Sequence, residues 1–332
     1  MKIAIVKLSA LGDIVHAMVA LQFIKQHLPH AQIDWLVEER FAEILRHNPD
    51  INAILTVNLK ALKRNKSAIF AEIARVKTYA QQDYDLVIDA QGLLKSAITA
   101  SLLGKKRAGF DRSSSRESLA AWFYQTTVQC SYTANSIDRN AQVIAEPLGF
   151  HITPEQIIAK QAFLYFKVPD VAPEPFLIAG QTTVLYVIGS TWPSRNYPKE
   201  QVLAVIEALQ CHSLILWGSV EEHETAEWLA AHSRYATCLP ALDLNSVKAL
   251  IAQVDLVIGN DTGPTHMAWG LNRPSITLFG PTPVSRVYQT ECNKALKSSS
   301  IVNPYKLNKQ DFSIADIQPE AITRLAQTLL LA

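Results

Sequence analysis

Two short stretches carry residue types that could do chemistry. The first is Lys7-Leu-Ser-Ala-Leu-Gly-Asp13-Ile-Val-His16, which follows an apolar run and opens an amphipathic segment. A carboxylate placed there, at a strand end, could be catalytic. The same carboxylate can instead cap the helix, satisfying free N–H groups and complementing the helix dipole. His16 reads first as a packed helix residue. The second stretch is Gly259-Asn-Asp261-Thr262-Gly263-Pro-Thr-His266, again between a strand and a helix. Its helix N-terminus can receive a diphosphate through free N–H groups, with Thr262 adding a hydroxyl and Gly263 permitting close backbone approach. The plain alternative is a capped turn with Asp261 or Thr262 as the cap.

Further strand ends point toward the same edge as this second stretch. Gly189-Ser190-Thr191 is followed by Arg195, Trp217-Gly218 by Glu221 and Glu222, and Phe279 by Gly280-Pro-Thr282. Arg195 can neutralise a phosphate and Glu222 can hold a ribose diol, or they are a solvated charge and a first-turn helix acid. Basic residues gather in the first half, at Lys60, Lys63, Arg64 and Lys66 and at Lys95, Lys105, Lys106, Arg107, Arg112 and Arg116. They form either solvated helix faces or a grip on an anionic acceptor and an anionic leaflet. Other chemistries lack their motifs. There is no GxGxxG, no Walker A loop and no GxSxG elbow, and His223-Glu224 has no second His at zincin spacing. Asp83-Tyr-Asp85 precedes a strand and so belongs to the amino edge, away from ligands. The four cysteines have no CxxC spacing, which argues against a disulfide framework or thiolate metal site. No metal and no cofactor is expected.

These groups must be positioned by a larger frame. A chain of 332 residues, 48% apolar and 18% charged, suits two globular α/β domains. Its 31 basic and 30 acidic residues nearly cancel, which argues against nucleic-acid binding through bulk charge. Strands expected at Lys2–Lys7, Gln32–Val37, Asn52–Val57 and Asp85–Asp89 alternate with helices. The rhythm returns at Thr183–Gly189, Ser213–Trp217, Asp255–Gly259 and Ser275–Phe279, so each half reads as a doubly wound parallel sheet. Prolines in Val168-Pro-Asp-Val-Ala-Pro-Glu-Pro175 mark a linker. The expected division is a first domain over 1–167, a linker over 168–180 and a second domain over 181–313. A terminal helix over 314–332 is expected to pack back on the first domain. Two such domains would set the carboxyl ends of their sheets across one cleft. With no signal peptide and no apolar run of about 18 residues, the expected location is cytoplasmic, with any membrane contact peripheral.

Taken together these stretches resemble the heptosyltransferases of lipopolysaccharide assembly, glycosyltransferase family 9. The resemblance rests on Val6-Lys-Leu-Ser-Ala-Leu-Gly-Asp13, Asp89-Ala-Gln-Gly-Leu-Leu-Lys95-Ser, Arg116-Glu, Phe123-Tyr124, Trp217-Gly218, Asp261-Thr-Gly-Pro-Thr-His266 and Gly280-Pro-Thr282. It implies a GT-B fold, two facing Rossmann-like domains. It also implies a metal-independent, inverting transfer of L-glycero-D-manno-heptose from ADP-L-glycero-β-D-manno-heptose to the first Kdo of Kdo-lipid A, on the cytoplasmic face of the inner membrane. Asp13 is then the general base. Ser190, Thr191, Glu222, Asp261, Thr262, Gly263 and His266 hold the donor, with Leu242 in the adenine region. Arg195 stands where the family has a lysine after the Ser/Thr pair, keeping the positive charge. Lys60, Lys63, Arg64, Lys95 and Arg116 are the acceptor-side candidates. A related heptosyltransferase, a sugar-nucleotide epimerase or a non-enzymatic nucleotide-sugar sensor are the alternatives, separable by the product formed.

Overall fold

The apolar runs become strands because both of their faces are covered. The computed structural model describes residues 1–61, 68–169 and 171–331, and the chain divides into two compact units after Tyr165. In the first unit β1 (Lys2–Val6) leads to helices α1 (Leu11–Met18) and α2 (Ala20–His27), then β2 (Gln32–Glu38) and β3 (Ala53–Val57). Helix α3 (Ala68–Ala80), β4 (Leu86–Asp89), α4 (Leu94–Leu103), β5 (Arg107–Phe110), β6 (Thr126–Val128), α5 (Ser136–Ala145) and α6 (Pro154–Ile158) complete it. All strand pairs are parallel, in the order β3-β2-β1-β4-β5-β6. Ile3, Ala4, Ile5 and Val6 are wholly buried, as a central parallel strand requires. At the amino edge the Asp85 carboxylate accepts the Lys2 N–H at 2.8 Å, so the Asp83-Tyr-Asp85 stretch starts a strand there.

The second unit repeats the plan. It comprises β7 (Thr183–Val187), α7 (Lys199–Leu209), β8 (His212–Leu216), α8 (Val220–His232), β9 (Ala236–Cys238), α9 (Leu244–Ile251), β10 (Leu256–Asn260), α10 (Gly263–Gly270), β11 (Ser275–Phe279), β12 (Asn293–Lys297) and α11 (Pro319–Leu330). Its sheet is also all parallel, ordered β12-β11-β10-β7-β8-β9. Counted within each unit, both orders are 3-2-1-4-5-6. The order therefore reverses between the first and fourth strands, β1/β4 and β7/β10, and ligands of such sheets bind at that point.

The structure adds to the sequence pattern in two places. The sequence pattern did not show β5, β6, β9 and β12, which are short or polar: Thr126–Val128 and Ala236–Cys238 have three residues each, and Asn293–Lys297 carries two lysines on a sheet edge. The terminal helix packs within the second unit. Ile322, Ala326 and Leu329 of α11 bury in one cluster with Val202, Val205 and Ile206 of α7, Ile258 of β10 and Leu278 of β11. The Tyr197 hydroxyl donates to the Ile317 carbonyl at 2.6 Å and Gln201 Nε2 to the Ala315 carbonyl at 3.0 Å, fixing the approach to that helix. Without α11 this face of the second sheet would lie open, and each aliphatic side chain it buries stabilises by roughly 1.5–3 kcal/mol.

A close contact in the first unit generates a test. A Cβ on Gly109 would lie 2.5–2.8 Å from ring atoms of Tyr124, whose hydroxyl donates to buried Asp89 at 2.7 Å. Gly109→Ala should displace the ring and cost about 2–3 kcal/mol, read from urea unfolding. A loss under about 0.5 kcal/mol would mean that the ring shifts freely.

Candidate functional site

In the first unit the reversal point is held by amides. After β4 the Gln91 side-chain carbonyl accepts the N–H groups of both Leu8 and Ser9 at 3.0 Å, fixing the loop that leaves β1. Lys7 is buried, its ammonium donating to the Ala90 carbonyl at 2.7 Å and to Asn140 Oδ1 at 2.8 Å. Asp89 is fully buried. Its carboxylate accepts the N–H groups of Gln91 and Gly92 and the Tyr124 hydroxyl, and burial pushes its carboxyl up against these hydrogen bonds. The Asp89-to-Ser96 stretch is therefore a brace for the β1 loop.

Asp13 sits where that braced loop enters α1. It is the third residue of the helix, the cap being Ala10, and its carboxylate accepts the Ala10 N–H at 3.3 Å. The cap expectation is thus corrected in position. The side chain is half-buried at the carboxyl edge, the place a proton acceptor for a bound hydroxyl would occupy. His16, one turn on, is buried, in line with its packed reading.

Lys60 follows β3, Lys95 begins α4 and Arg116 follows β5, so all three exposed cations lie at this same edge. Lys95 faces Glu38 at the end of β2, where burial raises the carboxyl and Lys95 opposes that rise. Lys63 and Arg64 lie outside the described residues. The remaining basic residues part company. Lys105 and Lys106 precede β5 at the amino edge and Arg107 opens it, donating to the Phe123 and Gly104 carbonyls at 2.6 and 2.9 Å.

In the second unit four neighbouring strands, β11, β10, β7 and β8, deliver their ends to one edge. Asn260 ties two of them, donating to the Ile188 carbonyl at 2.8 Å and accepting the Tyr197 N–H at 3.0 Å. Glu222 Oε2 accepts the Gly218 N–H at 2.7 Å, and a Cβ on Gly189 would run into the Glu222 carboxyl, so Gly189 lets Glu222 lie over the end of β7. Ser190 and Thr191 continue that turn, with the Ser190 hydroxyl donating to the Trp192 carbonyl at 3.0 Å. Leu242 is half-buried in the turn after β9, beside the Leu239 carbonyl that accepts the Trp217 indole N–H at 2.6 Å. Thr262 is the N-cap of α10 but its side chain caps no N–H, and Gly263 and Pro264 form the first turn.

Asp261 is the electrostatic centre of this edge. Only 2% exposed, it accepts His266 Nε2 at 2.9 Å on one oxygen, while Arg195 at 3.4 Å and Arg286 at 3.7 Å converge on the other. Burial pushes the carboxyl up, but Arg286, the His266 hydrogen bond and Arg195 outweigh it and hold Asp261 well below the usual carboxylate range. Arg195 is thus no solvent-facing residue, its side chain being 13% exposed. Sequence reasoning missed Arg286. Thr282 is fully buried, behind the mouth it was expected to line. Among the described residues no group of three His, Cys, Asp or Glu side chains is placed to hold a metal ion.

Residues 73–314 match the family model described as glycosyltransferase family 9 (heptosyltransferase). The chain belongs to this family. A lipopolysaccharide heptosyltransferase 1 from Campylobacter coli is 34% identical over 343 aligned residues, covering 99% of each chain. Its namesake in Escherichia coli K12 is 30% identical, covering 93% of this chain and 97% of its own. The solved E. coli heptosyltransferase with ADP-2-deoxy-2-fluoro heptose superposes with a TM-score of 0.79 at 25% identity, covering 98% of this chain and 99% of that one. A putative UDP-N-acetylglucosamine 2-epimerase from Listeria monocytogenes shares only the fold, with a TM-score of 0.53 at 14% identity. Two six-stranded parallel sheets with flanking helices are the GT-B arrangement of this glycosyltransferase family.

The buried charge of this heptosyltransferase yields a stability test. Asp261→Asn should cost on the order of 3 kcal/mol at neutral pH, since it leaves two guanidinium groups uncompensated. A depressed carboxyl stabilises above the unfolded value, near pH 4, and loses that contribution as pH falls toward the folded value. The gap in stability between wild type and Asp261→Asn should therefore narrow below about pH 4. A gap constant down to pH 2 would contradict the assignment.

Proposed function

We propose that this heptosyltransferase moves L-glycero-D-manno-heptose from ADP-heptose to the first Kdo of Kdo-lipid A, with inversion, in assembly of the lipopolysaccharide inner core. The observation that carries the reading is the carboxylate-held guanidinium of Arg195 beside the start of α10, at the reversal point of the second sheet. That is where an anionic leaving group gains most from fixed positive charge. The relatives' names supply the sugar: they are lipopolysaccharide heptosyltransferases, and the solved neighbour was seen with a fluorinated ADP-heptose.

In this reading the adenine lies toward Leu242, Glu222 takes the ribose diol, and Ser190, Thr191, Thr262 and Gly263 surround the diphosphate. His266 and Asp261 complete the donor side. The Kdo hydroxyl attacks the anomeric carbon from the face opposite the diphosphate. Its proton passes to Asp13 as the new glycosidic bond forms, while the bond to the diphosphate breaks and its electron pair leaves with ADP. Arg195 and the α10 N–H groups stabilise the departing charge, so the reaction needs neither metal nor cofactor. Lys60, Lys95 and Arg116, with Lys63 and Arg64, grip the anionic acceptor.

The acceptor is a lipid, which calls for contact with a membrane surface. No helix among the described residues is long and apolar enough to cross a membrane. The outer side of the α4 layer offers a surface suited to peripheral contact. Ala97 and Ala120 pack inward with Tyr124, while Ile98, Leu119 and Trp122 are 45%, 47% and 73% exposed. Lys95 and Arg116 lie toward one end of this layer and Lys105 and Lys106 toward the other. Apolar side chains bracketed by cations suit an anionic leaflet.

Purified protein mixed with ADP-heptose and Kdo-lipid A in excess chelator should give an acceptor one heptose heavier, seen by mass spectrometry. Asp13→Asn should cut turnover by about 10² to 10⁴ while keeping ADP affinity. Turnover of the nucleotide sugar alone would favour an epimerase, and activity restored only by added magnesium would overturn the metal-independent mechanism. For the membrane surface, Trp122→Ser should weaken binding to vesicles containing anionic lipid by several-fold, with solution turnover on a short-chain acceptor unchanged. Equal vesicle binding by the two proteins would move the docking surface elsewhere.

A further inference from the structure

The charges around Asp261 do not match the simple arrangement of one cation for one phosphate. Two guanidinium groups, Arg195 at 3.4 Å and Arg286 at 3.7 Å, approach the same carboxylate oxygen, and the other oxygen is bonded to His266. They reach it from different strands. Arg195 comes from the turn over Pro193–Arg195 after β7, and Arg286 from the turn over Val284–Arg286 after β11. The two strands flank β10, whose end carries Asp261. Side by side without a partner, two guanidinium groups would repel each other. The shared carboxylate holds them together, and the three groups sum to a formal charge of +1. Pro281 and Pro283 restrict the backbone on the approach to Arg286, which limits the freedom lost on binding. The Arg286 side chain is 25% exposed, enough to meet a ligand, whereas Asp261 is nearly sealed.

We infer that Arg286 is a second diphosphate-binding arginine, paired with Arg195 across Asp261 so that each guanidinium meets one phosphate of the departing nucleoside diphosphate. The inference rests on the donor reading above. Asp261 is then a positioning residue, because a carboxylate repels phosphate and can serve this ligand only by aiming the arginines. A planar fork donates to two phosphate oxygens at once, so the pair can follow the charge as it moves onto the β-phosphate oxygen during bond cleavage. Contacts that strengthen as that charge grows raise turnover more than they raise ground-state affinity.

The test uses the full chain and two probes, ADP and inorganic pyrophosphate, titrated by calorimetry alongside steady-state transfer. Arg286→Gln should weaken pyrophosphate and ADP binding about tenfold and lower kcat by about 10- to 100-fold. Arg286→Lys should recover part of both, and added guanidinium ion should partly restore transfer in Arg286→Gln, which a purely structural role would not allow. If wild type binds ADP but Arg286→Gln binds pyrophosphate and turns over as wild type does, the inference is overturned and the donor reading stands. If Arg286→Gln is impaired yet neither Arg286→Lys nor guanidinium restores it, the side chain acts through structure and the inference is also overturned. If wild type binds neither probe, the donor reading itself fails.

Discussion

Where the strand order of a parallel sheet reverses, two neighbouring chains turn away in opposite directions and strand the backbone groups at the ends of both strands. Those groups are too buried to be left to water. Each unit solves the problem with one amide side chain from its fourth strand or the loop just after it. Gln91 offers a single carbonyl oxygen to the N–H groups of Leu8 and Ser9. Asn260 uses both ends of its amide, on the Ile188 carbonyl and the Tyr197 N–H. The loops so fixed are the ones that carry Asp13 in one unit and Ser190 to Arg195 in the other. Order at the site therefore follows from satisfying the backbone, and the chemical groups are placed on loops that are already rigid.

On that frame the second unit adds a charge that could not persist by itself. A carboxylate as buried as Asp261 would ordinarily be driven toward its neutral form. Here it is surrounded by two guanidinium groups and an imidazole, and the balance goes the other way. The consequence reaches beyond Asp261. Two arginines on separate loops are tied to one atom of a third strand, so β7, β10 and β11 are coupled at their carboxyl ends by electrostatics as well as by the sheet.

Much of this was legible in the sequence because parallel strands are buried on both faces. The runs at Lys2–Lys7 and Asp255–Gly259 could hardly be anything else, and the polar residues just beyond them had to lie at the carboxyl edge. What escaped detection did so for physical reasons. Thr126–Val128 and Ala236–Cys238 are too short to show a period, and Asn293–Lys297 is an edge strand whose lysines read as surface. The amphipathic stripe of α11 announced that it packs, but a stripe does not say which sheet it covers. Arg286 lies 25 positions from Asp261 in a stretch of ordinary turn residues. Only the neighbouring places of β10 and β11 bring the two together. A cation in the loop after the strand beside the helix proposed to bind phosphate was the signal available, and it carries weight only once the strand order is known.

The two readings of Asp13 illustrate a more general point about strand-end residues. A helix-capping carboxylate and a proton acceptor look like rivals when only the sequence is known, since each explains the residue completely. In the folded chain one oxygen of the carboxylate accepts the Ala10 N–H at 3.3 Å. A carboxylate has two oxygens with about four lone-pair sites, so this bond fixes its direction without exhausting its capacity to accept a proton. The capping contact also lowers the entropy that would be lost in aiming the group during reaction. In the proposed mechanism the structural role would prepare the chemical one, with the loop braced by Gln91 giving Asp13 a fixed base.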